Sequence, residues 1–238
     1  MTSASMTTTN IHFIGGEKGG VGKSLMARVL AQYLIDKQLP FLGFDTDRSH
    51  GALMRFYPAF ASSVAVERIE SLDAIVEAAV DQAGRRILVD LAAQTHERLV
   101  KWIDESGVLE ALSEHGLSLT YWHVMDSGKD SLSLLKSLFD RFGSRLNYVI
   151  VLNQLRGEGF DLFEKSAEKA QADALHAKIV TVKRLNQEVI AKIDAENASF
   201  WAAQQKGAMN GNGLGILQRQ RVKVWLQHAY GQIDGVGI

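Results

Sequence analysis

Two rhythms of apolar positions alternate along this chain. Short, densely apolar blocks predict strands at Asn10–Gly15, 41–44, 86–91, 117–125, 146–152 and Lys178–Val182. Between them lie longer stretches whose apolar residues recur at every third or fourth position. These predict helices over 25–36, 66–82, 95–112, 130–142 and 160–177. In the first, Leu25, Val29 and Leu34 keep helical spacing; in the second, Ile69, Leu72, Ile75, Val76 and Ala79 do. Near the end, Val222, Trp225, Leu226, Ala229, Tyr230 and Ile233 share one helical face, with Arg219, Arg221 and Lys223 largely off it. Parallel strands need long crossovers, usually helical, so this alternation implies a mostly parallel sheet covered on both faces. The expected fold class is α/β, in three α/β/α layers.

The 238 residues suffice for one sizeable core. The expected organisation is a loose tail at 1–9, a main domain at 10–206, a glycine-rich loop at 207–215 (GAMNGNGLG), and a C-terminal helix at 216–238 packed on the same domain. No apolar run approaches the roughly 18 residues of a membrane-spanning helix, and no basic-then-apolar leader opens the chain, so the expected location is the cytoplasm. There is no cysteine, which excludes disulfides, thiol catalysis and cysteine-held iron–sulfur or zinc centres. The seven histidines are scattered without a close ligand pair, which argues against a histidine metal centre. A formal net charge of -1 argues against a protein devoted to coating nucleic acid, although local basic patches could still meet a polyanion.

The strongest chemical signal follows the first strand: Gly16–Ser24 reads GEKGGVGKS and leads directly into a helical pattern. Glycines let successive backbone N–H groups converge on a phosphate, and the helix N-terminus adds partial positive charge. Gly19, Gly20, Val21 and Gly22 would wrap the phosphates, Lys23 would reach the β and γ groups, and the Ser24 hydroxyl would sit on Mg2+. The pattern GxxxxGK[ST] is not met, because Glu17 stands where its first glycine would fall. Further acids close apolar strands, as this chemistry requires: Asp90 after Ile87, Leu88 and Val89, and Asp45 and Asp47 after the second strand.

The run Lys18-Gly19-Gly20-Val21-Gly22-Lys23-Ser24 resembles the deviant Walker A motif of the MinD/ParA group of P-loop ATPases. The resemblance implies an ATPase using ATP and Mg2+, in which Lys18 reaches across an ATP-sandwiched homodimer to the partner's phosphates. It implies that Ser24, Asp45 and Asp90 serve the magnesium shell, that Asp47 orients the attacking water, and that Asn153, with Val182 and Lys183 opposite, flanks the adenine. Two segments depart from the group's pattern. Leu91-Ala92-Ala93-Gln94-Thr95 replaces a small-Pro-Pro-Gly turn after Asp90, and Arg48-Ser49-His50 follows Asp47 where Pro or another apolar residue is usual. The implied function is a slow ATPase switch of the partition, positioning or conjugative-transfer type, with an unidentified protein partner. Arg184, Lys192, Arg219, Arg221 and Lys223 are candidate nucleic-acid contacts, and the closing GQIDGVGI suits a membrane poorly. The alternatives are a small-molecule ligase or kinase on the same scaffold, and a pseudo-ATPase scaffold.

Overall fold

The computed structural model describes residues 10–16, 19–47, 51–155, 157–209 and 213–238. The expected tail at 1–9, together with Glu17, Lys18, Arg48, Ser49, His50 and positions 210–212 of the glycine-rich loop, lies outside the described residues.

Seven parallel strands form one sheet, in the order β3-β2-β4-β1-β5-β6-β7. They are β1 (Asn10–Gly15), β2 (Phe41–Asp45), β3 (Ala61–Ser63), β4 (Arg86–Asp90), β5 (Ser118–Met125), β6 (Asn147–Asn153) and β7 (Lys178–Val182). The strand order turns back beside β1, which pairs with β4 on one side and β5 on the other. In open parallel sheets, that switch point opens a crevice at the carboxyl ends of the strands.

Strand residues alternate between two cores, as the two-residue side-chain period requires. Ile14, Leu88, Trp122, Val149 and Val151 face α1 (Lys23–Asp36), α2 (Ala52–Phe56), α9 (Gln187–Ala195), α10 (Phe200–Gln204) and α11 (Ile216–Asp234). Phe13, Val89, Tyr121 and Ile150 face α3 (Ile69–Val80), α4 (His96–Glu105), α5 (Val108–Glu114), α6 (Lys129–Phe142), α7 (Asp161–Glu164) and α8 (Ala167–Ala174). The fold is therefore the expected three-layer α/β/α sandwich. None of the described helices is long and apolar enough to cross a membrane.

The differences from the predicted elements have local causes. The helix expected over 95–112 is two, α4 and α5, because Gly107 turns the chain through the left-handed region (φ 60). The one expected over 160–177 is also two, because Ser166 adopts extended backbone and its hydroxyl caps α8 by accepting from Lys169 N. β3 carries only Ala, Ser and Ser, so it has no apolar rhythm to read.

Helices α2 and α10 are likewise too short for periodicity, and side chains of α1 anchor them. Arg28 is buried, bonds Asp194 at 2.7 Å, and stacks on the rings of Phe56 and Phe200 at 3.5 and 4.9 Å. Gln32, fully buried, accepts from the Tyr57 hydroxyl at 3.1 Å and from Trp201 N at 2.7 Å. Each is a polar group that burial makes costly unless bonded, so each specifies how these helices sit. Helix α11 lays Val222, Trp225, Leu226, Ala229 and Ile233 on the core, while Tyr230 sits at its margin and donates to Asp36 at 2.7 Å.

Candidate functional site

The loop between β1 and α1 is shaped by its glycines and by groups beneath it. Gly22 caps α1 with φ 99, and a Cβ there would lie 2.0 Å from the Asn153 amide nitrogen. Gly16 approaches β5 so closely that a Cβ would meet the Val124 carbonyl oxygen at 2.5 Å. Helix α1 starts at Lys23, two residues earlier than its apolar rhythm suggests. Its first turn therefore presents Lys23, largely buried, and Ser24 at the loop's end.

Three acids gather opposite. Asp45 and Asp90 are register partners at the ends of β2 and β4. The Ser24 hydroxyl donates to Asp90, and Lys23 lies close enough to favour its ionised form. Burial, and then the neighbouring Asp45, nevertheless push the Asp90 carboxyl up to about 7. Its Oδ1 is buried without a hydrogen-bond partner among the described residues. Burial also raises Asp45, against the backbone N–H groups of Asp47, Met54 and Leu53 that donate to it. The Asp47 N–H does so at 3.0 Å and that of Met54 at 3.3 Å. Asp45 thus ties the start of α2 to the site, and Gly51 passes over it where a Cβ would come within 2.9 Å of its Oδ2.

Thr46 was not singled out from the sequence, yet it couples two acidic segments. Its hydroxyl donates to the Asp90 carbonyl at 3.1 Å and accepts from Ala92 N at 2.8 Å, while its N–H reaches the same carbonyl at 3.0 Å. Its only sequence signal is its place between Asp45 and Asp47. Downstream of Asp90, Gln94 takes φ 63, in the left-handed region that favours glycine. The turn therefore holds a left-handed residue without glycine, at a cost of about 1–2 kcal/mol.

Asn153 ends β6 directly under the loop. Its amide donates to the Val21 carbonyl at 2.7 Å, and its oxygen accepts from Leu155 N at 3.3 Å. This side chain, expected at the adenine, braces the loop between β1 and α1. The segment across from it is stitched to both neighbours: the Val182 carbonyl accepts from Gln154 N at 2.9 Å, and the Lys183 carbonyl from Trp225 Nε1 at 2.6 Å.

The candidate nucleic-acid contacts divide. Arg184 and Arg221 line one groove. Lys192 reaches Glu188 at 3.4 Å, and Arg219 donates to the Leu214 carbonyl. Lys223, two positions beyond Arg221 on a helix, projects to a different side of α11 from the groove.

Residues 12–199 match the family model described as the CobQ/CobB/MinD/ParA nucleotide binding domain. A protein named TraL from Escherichia coli is 27% identical over 241 residues, spanning 96% of this chain and 98% of its own. Among solved structures, a ParA family ATPase from Chlorobium tepidum TLS superposes with a TM-score of 0.52 at 14% identity, covering 93% of this chain and 99% of that one. The MinD cell division protein of Aquifex aeolicus gives 0.50 at 16%, covering 94% and 97%. At those identities the two structures speak to the fold.

Proposed function

This chain belongs to the CobQ/CobB/MinD/ParA family of nucleotide-binding domains, and from that premise we propose that it is an ATP-driven dimerising switch. In this reading it hydrolyses ATP slowly and acts in partition, positioning or conjugative transfer. The observation that carries the reading is the convergence of Lys23, Ser24, Asp45 and Asp90 at the carboxyl ends of β1, β2 and β4.

The residues present fit a magnesium ion. Two buried carboxylates sit side by side, one with an oxygen left unbonded among the described residues, and burial opposes ionisation of both. A divalent cation offsets that penalty, which protons otherwise relieve. Ser24, Asp45 and Asp90 are the residues that would hold it, together with the nucleotide's own phosphate oxygens. When bound, the ion neutralises charge on the phosphates and helps stabilise charge developing in transfer.

The chain's own residues supply the rest. Gly19, Gly20, Val21 and Gly22 direct N–H groups at the phosphates, and Lys23 reaches the β and γ groups. Asp47 orients the attacking water through position and field, without having to be a free base. Asn153 holds the loop through Val21, leaving its second N–H and the segment of Val182 and Lys183 to meet the base. Lys18, whose part rests on the sequence resemblance, provides a second cation from the partner subunit.

The test is the molar mass in solution of the wild type and Lys18→Ala, each without nucleotide and with Mg2+ plus a non-hydrolysable ATP analogue. A mass that doubles with the analogue, and fails to double in the variant, supports the switch. Nucleotide binding by two proteins that both stay monomeric would overturn it and favour a small-molecule kinase or ligase.

A further inference from the structure

A groove of about 450 Å3 runs between α11 and the segment that leads from β7 into α9. One wall is a helical stripe at spacings of three and four: Leu217, Gln220, Arg221, Val224 and His228. The other wall is Lys183, Arg184, Leu185 and Asn186, with Trp225 between the two. The stripe is separate from the face of α11 that packs on the core, and it leaves two apolar side chains, Leu217 and Val224, outside that core. Leu217 remains 66% exposed and Val224 45%. None of the lining residues is acidic, while Lys183, Arg184 and Arg221 supply three basic side chains.

The groove is held open by its own bonds. Trp225 Nε1 donates to the Lys183 carbonyl and pins the segment to the helix. Asn186 caps α9 by accepting from Val189 N at 3.2 Å, and the Arg184 guanidinium is steadied by Gln187 at 3.1 Å. A preformed groove spares an incoming ligand part of the cost of ordering its site.

We propose that this groove docks an acidic, apolar peptide segment of a partner protein, its carboxylates meeting Arg184 and Arg221 and its large apolar side chains covering Leu217 and Val224. Both halves of that chemistry are needed. Phosphate backbones would satisfy the cations but leave the exposed apolar stripe uncovered, and duplex binding is served by basic side chains tracking a continuous surface. Here Arg219 and Lys192 are turned to other bonds, and Lys223 projects elsewhere on α11. A lipid surface is met by a protruding apolar face, whereas these apolar groups line a concavity. A short peptide helix or strand laid in a groove uses both apolar anchors and flanking charge.

The experiment is a selection from a random-peptide display library on the nucleotide-free full chain. Counter-selection uses Leu217→Asp and Arg221→Glu, each checked by circular dichroism and for retained ATP binding. Selected peptides are then synthesised and measured by fluorescence anisotropy, beside a short DNA duplex and phosphatidylglycerol vesicles. The expected winners combine Asp or Glu with Leu, Phe or Trp. They bind about tenfold or more weakly to each variant, weaken with salt, and are indifferent to Lys223→Glu. Winners that are basic or lack acids, binding unchanged in both variants, or no enrichment over the counter-selection would overturn the proposal. So would duplex or vesicle binding that these variants abolish while peptide binding is absent. Because the selection needs no nucleotide, its result is independent of whether the ATP switch holds.

Discussion

Replacing Asp90 by Asn separates the site's function from its stability, and the structure sets the size of the effect. In the nucleotide-free protein the Asp90 carboxyl is raised from 3.8 to about 7, by burial first and Asp45 second, against the Ser24 hydroxyl and Lys23. A carboxyl raised by folding contributes stability that is full below its unfolded value and is lost as the pH rises through about 7. At 1.36 kcal/mol for each tenfold step, holding it ionised costs the fold up to about 4 kcal/mol. Asn cannot ionise, and its side-chain oxygen can keep the Ser24 bond. Asp90→Asn without nucleotide should therefore be more stable than wild type at about pH 8, by as much as about 4 kcal/mol. The gap should narrow steadily towards about pH 4. Urea unfolding across that range measures it, with the two-state assumption checked by a second probe. With Mg2+ and ATP the ranking should reverse in function. The wild type gains about 2.7 kcal/mol at a ligand concentration one hundred times Kd, and the variant loses the magnesium-dependent part of that gain. An Asp90→Asn protein that is no more stable at high pH, or whose gain does not change with pH, would refute the argument.

Further outcomes follow from the same structure. Asn153→Ala removes the bond to the Val21 carbonyl and the one from Leu155 N, and should destabilise by about 1–3 kcal/mol. It should also weaken binding of a fluorescent ATP analogue with or without Mg2+, whereas loss of a base contact alone would leave stability untouched. Burial holds His12 down at about 3 and His123 at about 4, so both fold as neutral rings. Their contribution is present above the ordinary histidine value of 6.5 and is lost as the pH falls through those lower values. His12 accepts from Trp122 Nε1 through Nδ1, the atom an acidic solution would protonate. Acid unfolding of His12→Gln should accordingly begin at lower pH than that of the wild type; an unchanged midpoint would remove His12 as a cause.

The part of the molecule legible in the sequence is the part encoded by neighbouring residues. The rhythm from Asn10 through the glycines to Lys23 and Ser24 announces strand, glycine-rich loop and helix. Acids closing apolar blocks mark Asp45 and Asp90 as facing a common crevice. The spacing in Val222, Trp225, Leu226, Ala229 and Ile233 likewise carries the core face of α11. What the sequence could not carry depends on residues far apart. Strand β3 exists because Gly43, Phe44 and Asp45 pair with Ala61, Ser62 and Ser63. Helices α2 and α10 are placed by Arg28 and Gln32 from another helix. Asn153 reads locally as a strand-end residue, and only the approach of β6 beneath Gly22 makes it a brace for the loop. Likewise, Leu217 and Arg221 become one wall of a groove only where the segment beyond β7 supplies the other. Periodicity and glycine placement report a residue's relation to its neighbours along the chain. A hydrogen bond or a groove wall contributed from a distant part of the chain is decided by packing alone.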